Sequence, residues 1–290
     1  MMHNIKRFFI FGEEWLYYKV YCGTYSADRA LRGEIKILVA ELLERKLIDH
    51  WFFIRYNDPD PHLRLRFHLI DTAVLQKVIQ AINFHFNTLL LSNTIYEVSI
   101  AVYHRETERY GENTIAEAEQ LFYHNSQRIL DFICTVSLEH DETARLFASL
   151  HMIAEVLNQF EVPLTSSHEF VQNMFLEHKS QYNIERTQKR KMSDIYLMHK
   201  KDIILLLTEG KDPIYLAGLH ELVKCKAEEI KTIKIILQKQ EQEQNVAILE
   251  LIASFIHMNI NRMFRTKQRE YEFLCYDIMN RYYQHAINKK

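Results

Sequence analysis

From His62 to Leu69 polar and apolar residues alternate without a break. Leu63, Leu65, Phe67 and Leu69 are apolar; His62, Arg64, Arg66 and His68 are polar. Period two is the period of a strand, so one face is greasy and the other carries two imidazoles and two guanidiniums. Asp58-Pro59-Asp60-Pro61 precedes the run and stops a ladder, because proline fixes φ and lacks an N–H. Trp51-Phe52-Phe53-Ile54 before it reads as a buried strand, and the whole stretch as a β-hairpin. Upstream, Trp15 to Tyr21 is rich in aromatic and β-branched residues and predicts another strand. Between the two, Leu31, Ile35, Leu38, Leu42 and Leu43 recur at helical spacing. They predict one helix, capped by Ser26 with Asp28 in its first turn, running to about residue 47. A second helix starts at Asp71 or Thr72 and turns Val74, Leu75, Val78, Ile79, Ile82 and Phe86 to one side. Alternation returns over residues 94–105. Tyr96, Val98, Ile100 and Val102 lie on one face, and Glu97, Ser99, Ala101, Tyr103 and Arg105 on the other.

The order β-α-β-β-α-β is the split βαβ, or ferredoxin-like, arrangement. Its helices cover one sheet face, so Arg64, Arg66 and Arg105 are expected together on the other. Alternation alone favours a plain solvated face with arginines serving solubility. Three guanidiniums gathered on one face repel each other unless an anion or acidic groups intervene, which turns the reading towards a site. Arginine's planar fork of donors suits carboxylates.

Beyond Arg105 the period becomes helical. Asn113 or Thr114 can open a long helix through Ala118, Leu121, Phe122 and Ile129. Pro163 breaks a connection, and Pro213 sits in the first turn of a helix to about residue 240. Two more helices span about residues 245–264 and 270–284. The expected fold class is α+β. Residues 1–112 form the sheet-containing part, residues 113–290 a helical part packed over the open sheet face, and the two one integrated domain. The polar stretch 179–193, with Arg186, Lys189, Arg190 and Lys191, reads as a solvated face, or else as a contact for an acidic peptide or partner subunit. On the helix near residue 257, His257 has Asn261 one turn on, placed to bond the ring and fix its tautomer. A structural histidine at a helix–helix contact would look the same.

Composition narrows the class. Six glycines and four prolines in 290 residues fit long regular elements, and 48% hydrophobic residues suffice for a sizeable core. Lys plus Arg number 36 and Asp plus Glu 38, a net charge of −2 that gives no reason to expect nucleic acid. The four cysteines, Cys22, Cys134, Cys225 and Cys275, form no C-x-x-C pair, and no metal motif is visible. The apolar run Phe8-Phe9-Ile10-Phe11 is too short for a signal peptide, and no run is long enough to cross a bilayer. These features suggest reduced thiols and a cytoplasmic protein away from membranes.

Four blocks together point to a family: F-F-I-R-Y-N-D-P-D-P-H-L-R-L-R-F (residues 52–67), Y-H-R-E-T-E-R-Y-G (103–111), A-E-Q-L-F (118–122) and H-M-N-I-N-R (257–262). The combination resembles the C-terminal elimination domain of class I lantibiotic dehydratases, whose stand-alone members are called thiopeptide-type bacteriocin biosynthesis proteins. The likeness runs from about residue 15 to 283. It departs from the usual pattern at Glu112, where a second glycine is common, and at Asn125, where an aspartate precedes the serine. The resemblance implies a lyase that removes glutamate from glutamylated serine and threonine of a precursor peptide, leaving dehydroalanine or dehydrobutyrine. It implies Arg64, Arg66, Arg105 and His257 as catalytic residues, with His62, Asn261 and Arg262 beside them as substrate-binding candidates. The expected partners are a precursor peptide with its leader and a separate tRNA-dependent glutamylating dehydratase subunit. A homodimer is left open; no cofactor or metal, membrane or direct nucleic-acid contact is expected. The alternatives are the related pyridine-forming cyclase of thiopeptide pathways and a non-catalytic subunit that delivers peptide.

Overall fold

Alternation becomes a four-stranded sheet in the computed structural model, which describes residues 5–136, 141–181, 186–243 and 246–287. A short strand β1 (Phe8–Phe9) comes first, then β2 (Trp15–Tyr21), β3 (Ile48–Asn57), β4 (Pro61–Leu69) and β5 (Glu97–Ile100). The last four pair antiparallel in the order β3-β4-β2-β5. Helices α1 (Thr24–Ala30) and α2 (Lys36–Glu44) carry the chain from β2 across to β3, and α3 (Leu75–Leu91) carries it from β4 to β5. This is the expected split βαβ order, and the fold class is α+β.

Three details differ from the sequence reading. The first helix starts at Thr24 after Gly23, not at a Ser26 cap, and is interrupted by a π-helical turn at Leu31–Ile35 where Gly33 leaves helical geometry (φ −97°, ψ −112°). Asp28, expected in the first turn of a Ser26-capped helix, is buried and pairs with Arg55. Residues 94–105 are not one strand. β5 ends at Ile100, and β6 (Tyr103–His104) pairs with β1 in a separate two-stranded sheet, Phe9 opposite Tyr103.

The chain divides into two compact units: residues 1–135 with 231–254, and residues 136–230 with 255–290. In the first unit the sheet's apolar face lies under the helices: Tyr18 meets Phe86 of α3 edge-on at 5.6 Å, and Arg55 reaches Asp28 of α1. Leu16, Val20, Leu63, Leu65 and Phe67 are buried there, each burial contributing about 1.5–3 kcal/mol. After α4 (Thr107–Tyr110), helix α5 (Ile115–Thr135) covers the outer edge of β3. The N–H of Phe53 donates to Ser126 Oγ at 3.2 Å, a bond from β3 to α5 that helps close this strand edge. Lys239, near the end of α10 (Ala227–Gln242), bonds the Asn113 carbonyl and Glu117 at the start of α5.

The second unit is helical: α6 (Asp141–Gln159), α7 (Leu164–Gln181), α8 (Arg186–Glu209), α9 (Leu219–Val223), residues 255–263 of α11 (Ile248–Met263) and α12 (Gln268–Ile287). Phe147, Ile153, Val171, Ile256, Tyr276 and Met279 fill its core. The single helix expected after Pro213 is three pieces: a 3-10 turn at Ile214–Leu216, then α9 and α10, with Gly218 (φ 86°) turning the chain between the first two. Arg190 and Lys191 are exposed; residues 182–185 of the polar stretch lie outside the described residues. Among the described residues no helix is long and apolar enough to cross a membrane.

Candidate functional site

Strand period places His62, Arg64, Arg66 and His68 on one face of β4, and the register places Tyr17, Phe52 and Tyr56 beside them. Arg66 stands opposite Tyr17 on β2 and Phe52 on β3; His62 stands opposite Tyr21 and Tyr56. This face is turned away from α1 and α3, as the alternation predicts.

Arg66 is the unusual group. It is 7% exposed, and its guanidinium carbon lies 4.3 Å from the Tyr17 ring centroid, 5.0 Å from Tyr103 and 5.1 Å from Phe52. Cation–π attraction offsets part of the burial. Among the described residues nothing accepts a hydrogen bond from its buried Nε or Nη1. Burial pulls its pKa below the ordinary arginine value, against the counter-effect of Tyr103 and Tyr17. A desolvated cation with unused donors is a strong attractor for an anion.

Arg64 is half-buried, with its guanidinium 3.3 Å from the Tyr56 centroid. Its Nε donates to His62 Nε2 at 3.1 Å, and His62 Nδ1 donates to the Asp60 carbonyl at 2.8 Å. Burial and the Arg64 charge lower the His62 pKa, consistent with the neutral ring this chain of bonds requires. Both ring nitrogens of His62 are thus used within the protein. It was expected to bind substrate; its geometry is that of a group that orients Arg64.

Arg105 departs from expectation. It follows β6, outside the four-stranded sheet, and its backbone N–H bonds the Arg7 carbonyl. Its guanidinium grips Glu119 of α5 through Nε at 2.8 Å and Nη2 at 2.6 Å, and lies 4.9 Å from the Phe9 ring. Burial alone would lower its pKa, but the Glu119 carboxylate outweighs this and raises it. Tyr103 OH donates to the same carboxylate at 2.7 Å. Arg105 therefore supports the wall of the Arg66 cage through Glu119 and Tyr103, rather than sharing a sheet face with it.

In the second unit, α11 carries His257, which is 19% exposed in its side chain. The partner that fixes its ring is not Asn261 on its own helix but Glu272 of α12: His257 Nδ1 donates to Oε2 at 2.8 Å. Arg269 also bonds Oε2, at 3.1 Å, and His178 Nε2 lies 3.8 Å from Oε1. Burial would raise the Glu272 carboxyl, but His178, His257 and Arg269 outweigh it and hold it at about 2. A neutral ring that keeps its proton on Nδ1 for Glu272 presents the Nε2 lone pair, the tautomer a general base requires. Asn261 is half-buried on the same helix. Arg262, expected to bind substrate, is fully buried with Nη1 on the Met258 carbonyl one turn back, and we assign it to packing.

The lantibiotic biosynthesis dehydratase C-terminal family matches residues 15–283. The chain belongs to that family. The subtilin biosynthesis protein SpaB of Bacillus subtilis is 27% identical over 90% of this chain and 24% of its own. The epidermin biosynthesis protein EpiB of Staphylococcus epidermidis is 22% identical over 85% of this chain and 24% of its own. The chain thus spans about a quarter of the length of these relatives. Among solved structures, the tRNA-dependent lantibiotic dehydratase MibB from Microbispora sp. 107891 superposes with a TM-score of 0.71 at 17% identity, over 96% of this chain and 29% of that one. The pyridine synthase TbtD from thiomuracin biosynthesis gives 0.65 at 11% identity, covering 96% of this chain and all of that one. These likenesses show a shared fold. Three of the family's blocks meet in the first unit. The arginine block supplies Phe52, Tyr56, Arg64 and Arg66, the second block Tyr103 and Arg105, and the third Glu119 and Phe122, whose ring lies 5.2 Å from Phe52. Glu272 lies outside all four blocks, and nothing local in the sequence marks it.

Proposed function

We propose that this member of the family eliminates glutamate from glutamylated serine and threonine of a ribosomally made precursor peptide. The observation that carries the reading is Arg66, a buried guanidinium with unused donors inside an aromatic cage next to Arg64. A glutamyl ester bears one free carboxylate and releases a second as the Cβ–O bond breaks. Arg64 and Arg66 pair with these carboxylates and strengthen their hold as leaving-group charge develops. His257 Nε2 takes the Cα proton; the C–H electron pair becomes the Cα=Cβ bond, and glutamate departs with the ester oxygen. The substrate is a precursor peptide, recognised through its leader, that a tRNA-dependent activity has glutamylated.

The test is direct. Incubated with a synthetic peptide glutamylated on serine, the protein should release free glutamate and leave a peptide one water lighter than its unmodified form by mass spectrometry. The full-length match to a pyridine synthase supports one competing reading. If glutamylated peptide is untouched while a peptide already carrying two dehydroalanines is cyclised, the pyridine-forming reading replaces elimination. A protein that does neither but binds leader tightly is a delivery subunit.

A further inference from the structure

The start of β3 contains a β-bulge. Ile48 opposes Leu69 and His50 opposes His68, so Asp49 is the extra residue. In a regular strand Asp49 and His50 would point to opposite faces; the bulge re-aims Asp49 to the face that His50 and His68 share. Asp49 Oδ1 lies 2.5 Å from His50 Nδ1 and 2.7 Å from His68 Nδ1. The rings are held from two sides. They stack on each other with centroids 4.5 Å apart and planes 25° off parallel, and Trp15 meets both edge-on at 4.8 and 4.9 Å. Gln120 of α5 adds a side-chain amide 3.4 Å from His50 Nδ1. One ligand atom from each of the three residues lies within 4.8 Å of the other two.

Two imidazole nitrogens and a carboxylate oxygen, converging with their rings locked, form a donor set for a borderline first-row divalent cation. We propose that Asp49, His50 and His68 bind a zinc-type divalent ion, leaving a further position open to water or a ligand carboxylate. Binding takes the place of the two Nδ1–H bonds now directed at Asp49, each ring then carrying its proton on Nε2. Tetrahedral ligand bonds of about 2.0–2.2 Å require the oxygen to draw away from the two nitrogens by about 0.6–1 Å. Asp49 can supply that shift, since its side chain is 47% exposed, while His50 is nearly fully buried and set by the ladder. His68 follows Arg66 by two residues on the same face, so the ion would extend the row of positive charge along β4.

The experiment titrates dialysed protein with Zn2+ by calorimetry and with Co2+ by visible absorption. The expected result is one tight equivalent and Co2+ bands of a low-coordinate nitrogen–oxygen site. Asp49→Asn and His68→Gln alter partly exposed side chains, so their folding can be verified by circular dichroism; each should weaken Zn2+ by about tenfold or more. Zinc should raise the melting temperature of the parent protein and not of either variant. Absence of a tight equivalent, or equal affinity in the parent and the Asp49→Asn/His68→Gln double variant, overturns the assignment and leaves the cluster as a charge-assisted hydrogen-bond set.

Discussion

Arg105→Met separates two roles that the family resemblance alone runs together. The Arg105 side chain is 15% exposed and that of Glu119 2%. Two guanidinium bonds and the Tyr103 hydroxyl end on the Glu119 carboxylate. Methionine keeps the packing on Phe9 but leaves a buried carboxylate served by one phenol. Breaking a buried pair from one side costs about 3–5 kcal/mol, and the retained packing puts this case near 3. A domain of this size loses about 2–4 °C of melting temperature per kcal/mol, so the variant should melt about 6–12 °C lower. Adding Glu119→Gln removes the orphaned charge and should recover about half the loss or more, a coupling that a double-mutant cycle in urea measures directly. Glutamate release by the folded Arg105→Met protein should fall only as far as Tyr103 moves away from Arg66. If Arg105→Met instead melts within about 1 kcal/mol of the parent while turnover drops a hundredfold, its guanidinium acts on substrate and the supporting role is wrong.

Other substitutions probe the site itself. Arg64→Ala removes a half-buried guanidinium; the protein should stay folded while glutamylated peptide accumulates in the mass spectrum, and unchanged turnover would remove Arg64 from the site. His257→Ala should slow single-turnover glutamate release by about 10²- to 10⁴-fold, the span of a general acid–base group; a change below threefold would make the ring structural. Glu272 supplies a pH test. Its carboxyl is held at about 2 in the folded chain against 4.5 unfolded, so its stabilising contribution is complete above pH 4.5 and disappears as pH falls towards 2. The stability gap between parent and Glu272→Gln in urea melts should therefore narrow between pH 6 and pH 3, and a constant gap contradicts the assignment.

Period-two patterning made the sheet legible. Alternation in residues 62–69 fixed the face of each arginine, and the two helical periods between strands fixed the β3-β4-β2-β5 order through the split βαβ connection. What was illegible depends on single-residue irregularities. Gly33 breaks a helix whose apolar spacing continues straight through it. The end of β5 at Ile100 is invisible because alternation persists into β6, although the partner strand changes. Arg105 was placed by that false continuity. The bulge at Asp49 sits in a run where neither charge nor hydropathy announces an extra residue. Long-range partners were equally hidden: Glu119 lies inside a recognisable block, yet its pairing with Tyr103 and Arg105 exists only after α5 folds back on β6, and Glu272 reaches His257 from a different helix.

The placement of Arg66 accounts for why a buried charge is tolerated where packing would prefer a hydrophobic side chain. β4 is interior to its sheet, laddered on both sides to β3 and β2, so the guanidinium rides on backbone that cannot slide. Lysine would not substitute. Its ammonium is compact and strongly hydrated, whereas the guanidinium is planar, more weakly hydrated and able to lie against Tyr17 and Tyr103. The aromatic faces stabilise the cation without using its N–H donors, which are left for a ligand. In water those donors would be solvated and an incoming carboxylate would gain little. Inside the cage their desolvation has already been met by folding, so a bound carboxylate recovers hydrogen bonds of the charge-assisted kind in a low-dielectric setting. On the proposed function, part of the stability lost to burying Arg66 is recovered as affinity for a leaving carboxylate.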